Sequence, residues 1–148
     1  MPKLDLDAIP QTNATGYPSP WREQMAKRWY RRLAPAAGLK DFGASHVRLE
    51  PGGLSAQRHW HEGEDEMLVM VAGEAVLVDD SGRTALGPGD VCAFPKNDGN
   101  GHYVINESDA DCLFVVIGNP SVTACHYPDI DMHLPPGGNF TRKDGTPF

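Results

Sequence analysis

Between Gly53 and Glu66 the chain reads GLSAQRHWHEGEDE, its densest run of side chains able to hold a cation. Side chains alternate along an extended strand, so His59 and His61 project to one face and can offer two imidazoles to a single ion. An HxH pair on its own also occurs as an ordinary polar strand edge. Glu66 opens the apolar run 67–72, and a hairpin there would return its carboxylate beside the two histidines. His102 begins the segment HYVIN and can face the same interior from across a barrel. Imidazole and carboxylate together suit divalent first-row metals.

Other residues nearby have weaker patterns. Glu62, Glu64 and Asp65 compete for the carboxylate role, and Glu64 shares its parity with Glu66. Any of them is also a natural solvent-facing loop charge, or a base acting beside the ligands. Gln57, in register with His59 and His61, is a candidate for hydrogen bonding a substrate. Leu68 and Met70 share the face of Glu66 and would either line a pocket or fill a small barrel. His46, His126 and His133 lack metal-ligand spacing and read as surface or core-bonded imidazoles. Cys125 and His126 are adjacent in an extended segment and so point opposite ways, which gives them no role as a catalytic pair.

The elements that must position these groups are short strands. HVRLE, EMLVMVA, EAVLVD, RTAL, DVCAFP, HYVIN and CLFVVIG follow one another with Gly, Pro, Asn or Asp between them, the pattern of an all-β sandwich or barrel. No helical segments alternate with them, which excludes a doubly wound α/β sheet. Residues 1–40 read as an N-terminal arm, 41–118 as the β-barrel core, and 119–148 as a Pro-rich C-terminal arm packing on the barrel or on a partner subunit. Within the first arm, residues 19–33 are open between two readings. Trp21, Met25, Trp29 and Leu33 fall on one helical stripe after Pro20, while an aromatic strand over 28–33 fits as well. Arg22, Lys27, Arg28, Arg31 and Arg32 make this stretch basic, as an anion site or as a solvated, salt-bridged face.

Composition narrows the function classes. The 148 residues carry 13 Lys and Arg against 20 Asp and Glu, a net charge of −7. Such a chain presents no general positive field to a phosphate backbone or an anionic bilayer, so neither nucleic acid nor membrane is an expected partner. The three cysteines, Cys92, Cys112 and Cys125, are odd in number and widely spaced, which offers neither a disulfide framework nor a CxxC site. They read as small buried hydrophobes in a reducing compartment. The apolar runs 67–72 and 112–117 are too short to span a bilayer, and the first residues have no basic flank leading into an apolar stretch. A cytoplasmic location is the expectation.

Taken together, the motif residues resemble the two signatures of the cupin superfamily. The first reads Gly, five residues, His-x-His, three or four residues, Glu, six residues, Gly, and is met by Gly53, His59, His61, Glu66 and Gly73 with every spacing kept. The second is met by Gly89, Pro95, His102 and Asn106, but the loop 96–101 is two residues longer than the pattern and its glycine is displaced. The tail, HYPDID followed by FTRKDGTPF, is similar to that of a group of small single-domain bacterial cupins. The resemblance implies a double-stranded β-helix, or jelly roll, with irregular arms at both ends. It implies one divalent metal ion per chain (Fe, Mn, Ni, Co or Zn) on His59, His61, Glu66 and His102, with two positions left open at six-coordination and a net charge near +1. The spacing to Gly73 selects Glu66 among the neighbouring acids. A homodimer is implied as well. The expected function is metal-dependent isomerase or lyase chemistry on a small oxygenated substrate, a sugar or a keto or hydroxy acid. The alternatives are an iron-dependent dioxygenase and a non-catalytic small-molecule binding protein.

Overall fold

The computed structural model describes residues 3–119 and 122–148. Eleven strands account for most of the regular structure: β1 (Arg28–Arg32), β2 (Gly43–Leu49), β3 (Trp60–His61), β4 (Glu66–Ala72), β5 (Ala75–Asp79), β6 (Gly82–Leu86), β7 (Val91–Phe94), β8 (Tyr103–Ile105), β9 (Cys112–Gly118), β10 (Cys125–His126) and β11 (His133–Leu134). They form a jelly roll. One wall is a five-stranded sheet in the order β1-β2-β9-β4-β7. The opposite wall is made of two three-stranded sheets, β6-β5-β8 and β11-β10-β3. These two sheets are joined edge to edge by isolated bridges between Leu54 and Ile105 and between His59 and His102.

Alternation fixes which side chains face inward. On the large sheet the inward residues include Val47, Leu49, Leu68, Met70, Cys92 and Phe114, all buried in one core. Register carries this row across the strands: Tyr30 pairs with Val47, Val47 with Phe114, and Phe114 with Met70. Met70 therefore fills the core, at 1% exposure, and does not line the site cavity as a substrate-binding residue was expected to. Its neighbour on the same face, Leu68, does line it.

Gly73 turns the chain from β4 into β5 with φ +74, and a Cβ there would lie 2.5 Å from the Asp111 carbonyl oxygen. Only glycine fits both the backbone angle and the contact.

The segment before the first motif realises both readings of residues 19–33 in succession. A one-turn helix, α1 (Trp21–Gln24), is followed by β1, which pairs with β2 over its full length; a second one-turn helix, α2 (Leu33–Ala36), comes next. The strand escapes a hydrophobic-alternation search because its inward residues are Arg28, Tyr30 and Arg32, which line a cavity rather than a dry core. The C-terminal segment returns along the opposite wall, with Cys125 opposite His61 and His126 opposite Trp60. Tyr17 and Met25 from the start of the chain and Cys125, Tyr127 and Met132 from its end form a second core that fastens both segments to the barrel.

Asn106 of the second motif is fully buried and acts as a latch. Its Nδ2 donates to the carbonyls of Leu49 and Ala110 at 2.9 and 2.8 Å, and its Oδ1 accepts from the backbone N–H and the hydroxyl of Ser108. Replacing Asn106 with Ala removes these bonds from a fully buried position. The expected cost is about 2–4 kcal/mol, read from the urea midpoint of the variant, with metal content unchanged in protein that remains folded.

Candidate metal centre

The two histidine-bearing segments meet through their backbones. His59 N–H donates to the His102 carbonyl at 3.2 Å, and His102 N–H donates to the His59 carbonyl at 2.9 Å. This pairing answers the question raised by the longer loop at 96–101. That loop is closed by Asn97 N–H donating to His61 O at 2.8 Å and by Lys96 N–H donating to Asp65 Oδ1 at 2.9 Å. Arg58 clamps its far end, donating from Nε to Gly101 O at 3.0 Å while its guanidinium pairs with Asp80 and Asp129. The extra residues bulge outward and His102 is still delivered to His59.

The imidazoles are oriented by their own backbone. His59 Nδ1 lies 2.8 Å from Gln57 O and His102 Nδ1 lies 3.3 Å from Asn100 O. A carbonyl can only accept, so His59 Nδ1 carries the proton and its Nε2 keeps a lone pair for a cation, whereas His102 faces an acceptor at each nitrogen, Asn100 O and Glu66 Oε1. Phe94 stacks on His102 with ring centroids 3.6 Å apart and planes 5° from parallel. On the side of the large sheet, Glu66 places Oε1 3.4 Å from His102 Nε2 and Oε2 3.7 Å from His61 Nε2. Donor atoms of His59, Glu66 and His102 all lie within 4.8 Å of one another and could hold a metal ion. His61 adjoins them through Glu66, with its ring centroid 4.8 Å from that of His59. Borderline imidazoles with lone pairs turned inward beside one carboxylate fit a divalent transition metal.

The electrostatics agree with that donor set. Burial lowers His59 to about 4, helped by the nearby His102, so its imidazole is neutral at pH 7. Burial also lowers His61. Burial alone would raise the Glu66 carboxyl, but the His102 hydrogen bond and the surrounding imidazoles outweigh it and hold Glu66 below its ordinary value.

The cluster opens into a cavity of about 620 Å³, a size typical of small-molecule sites. Glu64 lines it too, with Oε2 3.7 Å from His61 Nδ1. Burial, and then the charge of Glu66, pushes Glu64 up to about 7. The carboxylate has room because residue 118 is glycine: a Cβ there would collide with Glu64 Oε1.

Gln57 is placed elsewhere. Its side chain donates to Gln24 Oε1 at 2.9 Å and lines a different, smaller pocket, so it does not reach the metal cavity as a substrate contact; only its backbone carbonyl serves the site, by holding His59. Parity placed it on the right strand line, but the chain at 55–58 is a series of bends rather than regular strand, and strict alternation fails there.

A group that sequence reasoning set aside does lie at the site. Cys125 Sγ falls within 4.8 Å of ligand atoms of His59 and His61. It is hydrogen-bonded to Tyr127, which is bonded in turn to Tyr17. Burial pushes the Cys125 thiol up to about 12, so it stays protonated. Its pairing opposite His61 is a long-range strand contact that no local motif announces. His126 points the other way, stacking on Trp60 and bonding Glu62 at 2.7 Å.

The comparisons with known proteins agree with this geometry. The cupin domain family matches residues 45–118. The chain is a cupin. A crystal structure of a cupin-superfamily sugar phosphate isomerase from Silicibacter pomeroyi is 44% identical to this cupin over 99% of this chain and 96% of that one, with a TM-score of 0.93. A protein of Acidithiobacillus ferrooxidans provisionally named a sugar phosphate isomerase is 26% identical, covering 79% of this chain and 77% of its own, with a TM-score of 0.72. The polyketide cyclase RemF of Streptomyces resistomycificus shares the fold at 19% identity and a TM-score of 0.63, over 80% of this chain and 79% of that one. No curated protein matches. Among the described residues, no helix is long and apolar enough to cross a membrane.

Since His59 sits at about 4 in the fold against an ordinary 6.5, the unfolded chain binds the extra proton between those values. The His59 contribution to the stability of the metal-free cupin is therefore full above pH 6.5 and falls as the pH drops toward 4, with His61 adding to the loss and the raised Glu64 carboxyl opposing it. Urea denaturation at stepped pH checks this, and the His59→Ala variant is expected to show a shallower slope.

Proposed function

We propose that this cupin is a divalent-metal-dependent isomerase, moving a hydrogen between adjacent carbons of a small sugar-like hydroxycarbonyl compound. The observation that carries the reading is the second carboxylate. Glu64 faces the same cavity as the cluster of His59, His61, Glu66 and His102, so one pocket offers cation ligands and a separate proton acceptor.

His59, His61, Glu66 and His102 would hold a divalent ion, which would supply Lewis acidity toward the substrate's carbonyl and hydroxyl oxygens. Iron, manganese, nickel, cobalt and zinc all accept these ligand types. The chain's own residues do the rest. Glu64 takes the proton from the carbon beside the carbonyl and returns it to the carbonyl carbon, while the hydroxyl hydrogen passes to the former carbonyl oxygen. Nothing is consumed and no co-reactant is needed. Leu68, Phe94 and Val116 add apolar surface to the wall of the same cavity. The extent of the similarity to the Silicibacter pomeroyi isomerase supports the same reading.

The test is deuterium wash-in from D2O at the carbon beside the carbonyl, for metal-loaded protein and a panel of aldoses, ketoses and their phosphates. Glu64→Gln is expected to keep its metal and lose exchange by roughly a hundredfold or more, whereas Glu66→Gln loses both. Oxygen uptake by the iron-loaded protein without exchange would transfer the reading to a dioxygenase. Ligand-induced stabilisation without either would make it a binding protein.

We also propose that the cupin pairs as a homodimer through the outer face of the large sheet. Met67 and Val71 on β4, Val91 on β7 and Ile117 on β9 all point outward and are exposed there, at 44, 49, 57 and 36%. A contiguous apolar sheet face of this kind marks an association surface. Val91→Asp combined with Met67→Lys is expected to shift sedimentation from dimer to monomer with the metal content unchanged.

A further inference from the structure

Two members of the basic stretch read in the sequence, Arg28 and Arg32, lie in the wall of the cavity that holds the His/Glu cluster. Arg28, Tyr30 and Arg32 alternate along β1, so all three face inward and all three line the same cavity as Glu66 and the histidines. Tyr30 is fixed by its hydroxyl donating to Ala14 O at 2.9 Å. Both guanidinium carbons sit near its ring, that of Arg28 at 5.5 Å from the centroid and that of Arg32 at 6.0 Å. One aromatic plate thus holds two cations beside each other.

Their hydrogen-bonding capacity is not spent. Arg28 uses Nη1 to donate to Ser55 O at 2.9 Å, but its Nε is buried without any partner. A buried donor left unpaired is costly, and natural proteins rarely keep one without a use. Among the described residues, no carboxylate lies within ion-pair distance of Arg28 or Arg32, although the chain as a whole is acidic; Arg31, Arg48, Arg58 and Arg83 are paired with carboxylates, and Arg22 and Arg142 donate to the backbone carbonyls of Tyr17 and Pro147. Two like charges held together without a counterion, in a cavity, await an anion from outside.

The spacing suits a substrate that reaches from one end to the other. β1 and β4 are separated by β2 and β9, three strand intervals, or about 14 Å along the sheet and less across its concave face. Ser45 and Thr15 add hydroxyl groups to the cavity lining on the side of β1.

We infer that Arg28 and Arg32 form a subsite for the phosphate group of a phosphomonoester substrate whose carbonyl end lies at the His59, His61, Glu66 and His102 cluster. The inference deepens the isomerase reading and rests on it for the carbonyl end alone. Two guanidinium groups match a phosphate dianion in charge and in the forked geometry of their donors. Arg28 grips from within, through its free Nε, and Arg32 closes over the group from the exposed rim.

The experiment is calorimetric titration of inorganic phosphate into the full chain, once metal-loaded and once after chelation. Phosphate is expected to bind in both states. Arg28→Met and Arg32→Met should each weaken it roughly tenfold or more, and Arg28→Lys should restore part of the loss while metal content stays the same. Arg32 is on the surface, so its variant tests the subsite even where Arg28→Met does not fold. Equal phosphate affinity in the folded arginine variants and the parent would overturn the proposal. So would binding seen only with metal loaded, which places phosphate on the ion itself, or tighter binding of malonate than of phosphate, which makes the subsite one for a carboxylate. No turnover is read, so failure of the isomerase reading leaves the outcome legible.

Discussion

Two backbone hydrogen bonds between His59 and His102 are the join on which the molecule depends. Each residue both donates to and accepts from the other, so two segments separated by forty-odd residues of meander are locked at a single register. A slip of one residue would turn both imidazoles away from Glu66, because side chains alternate. The same bonds bridge the two smaller sheets into one wall, so the closure of the barrel and the assembly of the donor cluster are a single event. Arg58 and the 96–101 loop brace that join from outside, and Asn106 anchors the strand that leads away from it.

The centre built on this join is poised by burial. With Nδ1 tied to carbonyls, the His59 and His102 rings are fixed in orientation, and against burial, which alone would raise it, the His102 hydrogen bond holds the Glu66 carboxyl below its ordinary value. Packing of Phe94 against His102 and of Tyr127 against His59 leaves the rings little freedom to reorient. The geometry is therefore prepared by the fold, and a cation would meet ligands that have already surrendered their rotational entropy.

Much of this was legible in the residues. The spacings of the two motifs named His59, His61, Glu66 and His102, and strand after strand from HVRLE onward announced itself by alternation. What escaped had physical reasons. The strand β1 shows no apolar alternation because its inward side chains meet a polar cavity, so its arginines read equally well as surface. Cys125 reaches the cluster through a pairing of β10 with β3 that spans more than sixty residues, and no local pattern encodes such a contact. Gln57 illustrates the reverse: parity counted along an irregular stretch assigns a face that the bends at 55–58 do not preserve. Met70 had the correct face but the wrong depth, since alternation tells inside from outside and not cavity from core.

The pairing of β10 against β3 has a consequence for biosynthesis. All four residues of the His/Glu cluster precede residue 103, yet the strand that covers the open edge beside His61, and brings Cys125 and Tyr127 against the histidines, follows them in the chain and so is made later. During translation the histidine strand must wait with its hydrogen-bonding edge bare and its imidazoles wet. Its burial, and with it the suppression of imidazole protonation, is achieved only when the tail swings back. The candidate metal pocket is thus completed only after the strands of the barrel itself, when residues 125–127 are in place to cover it.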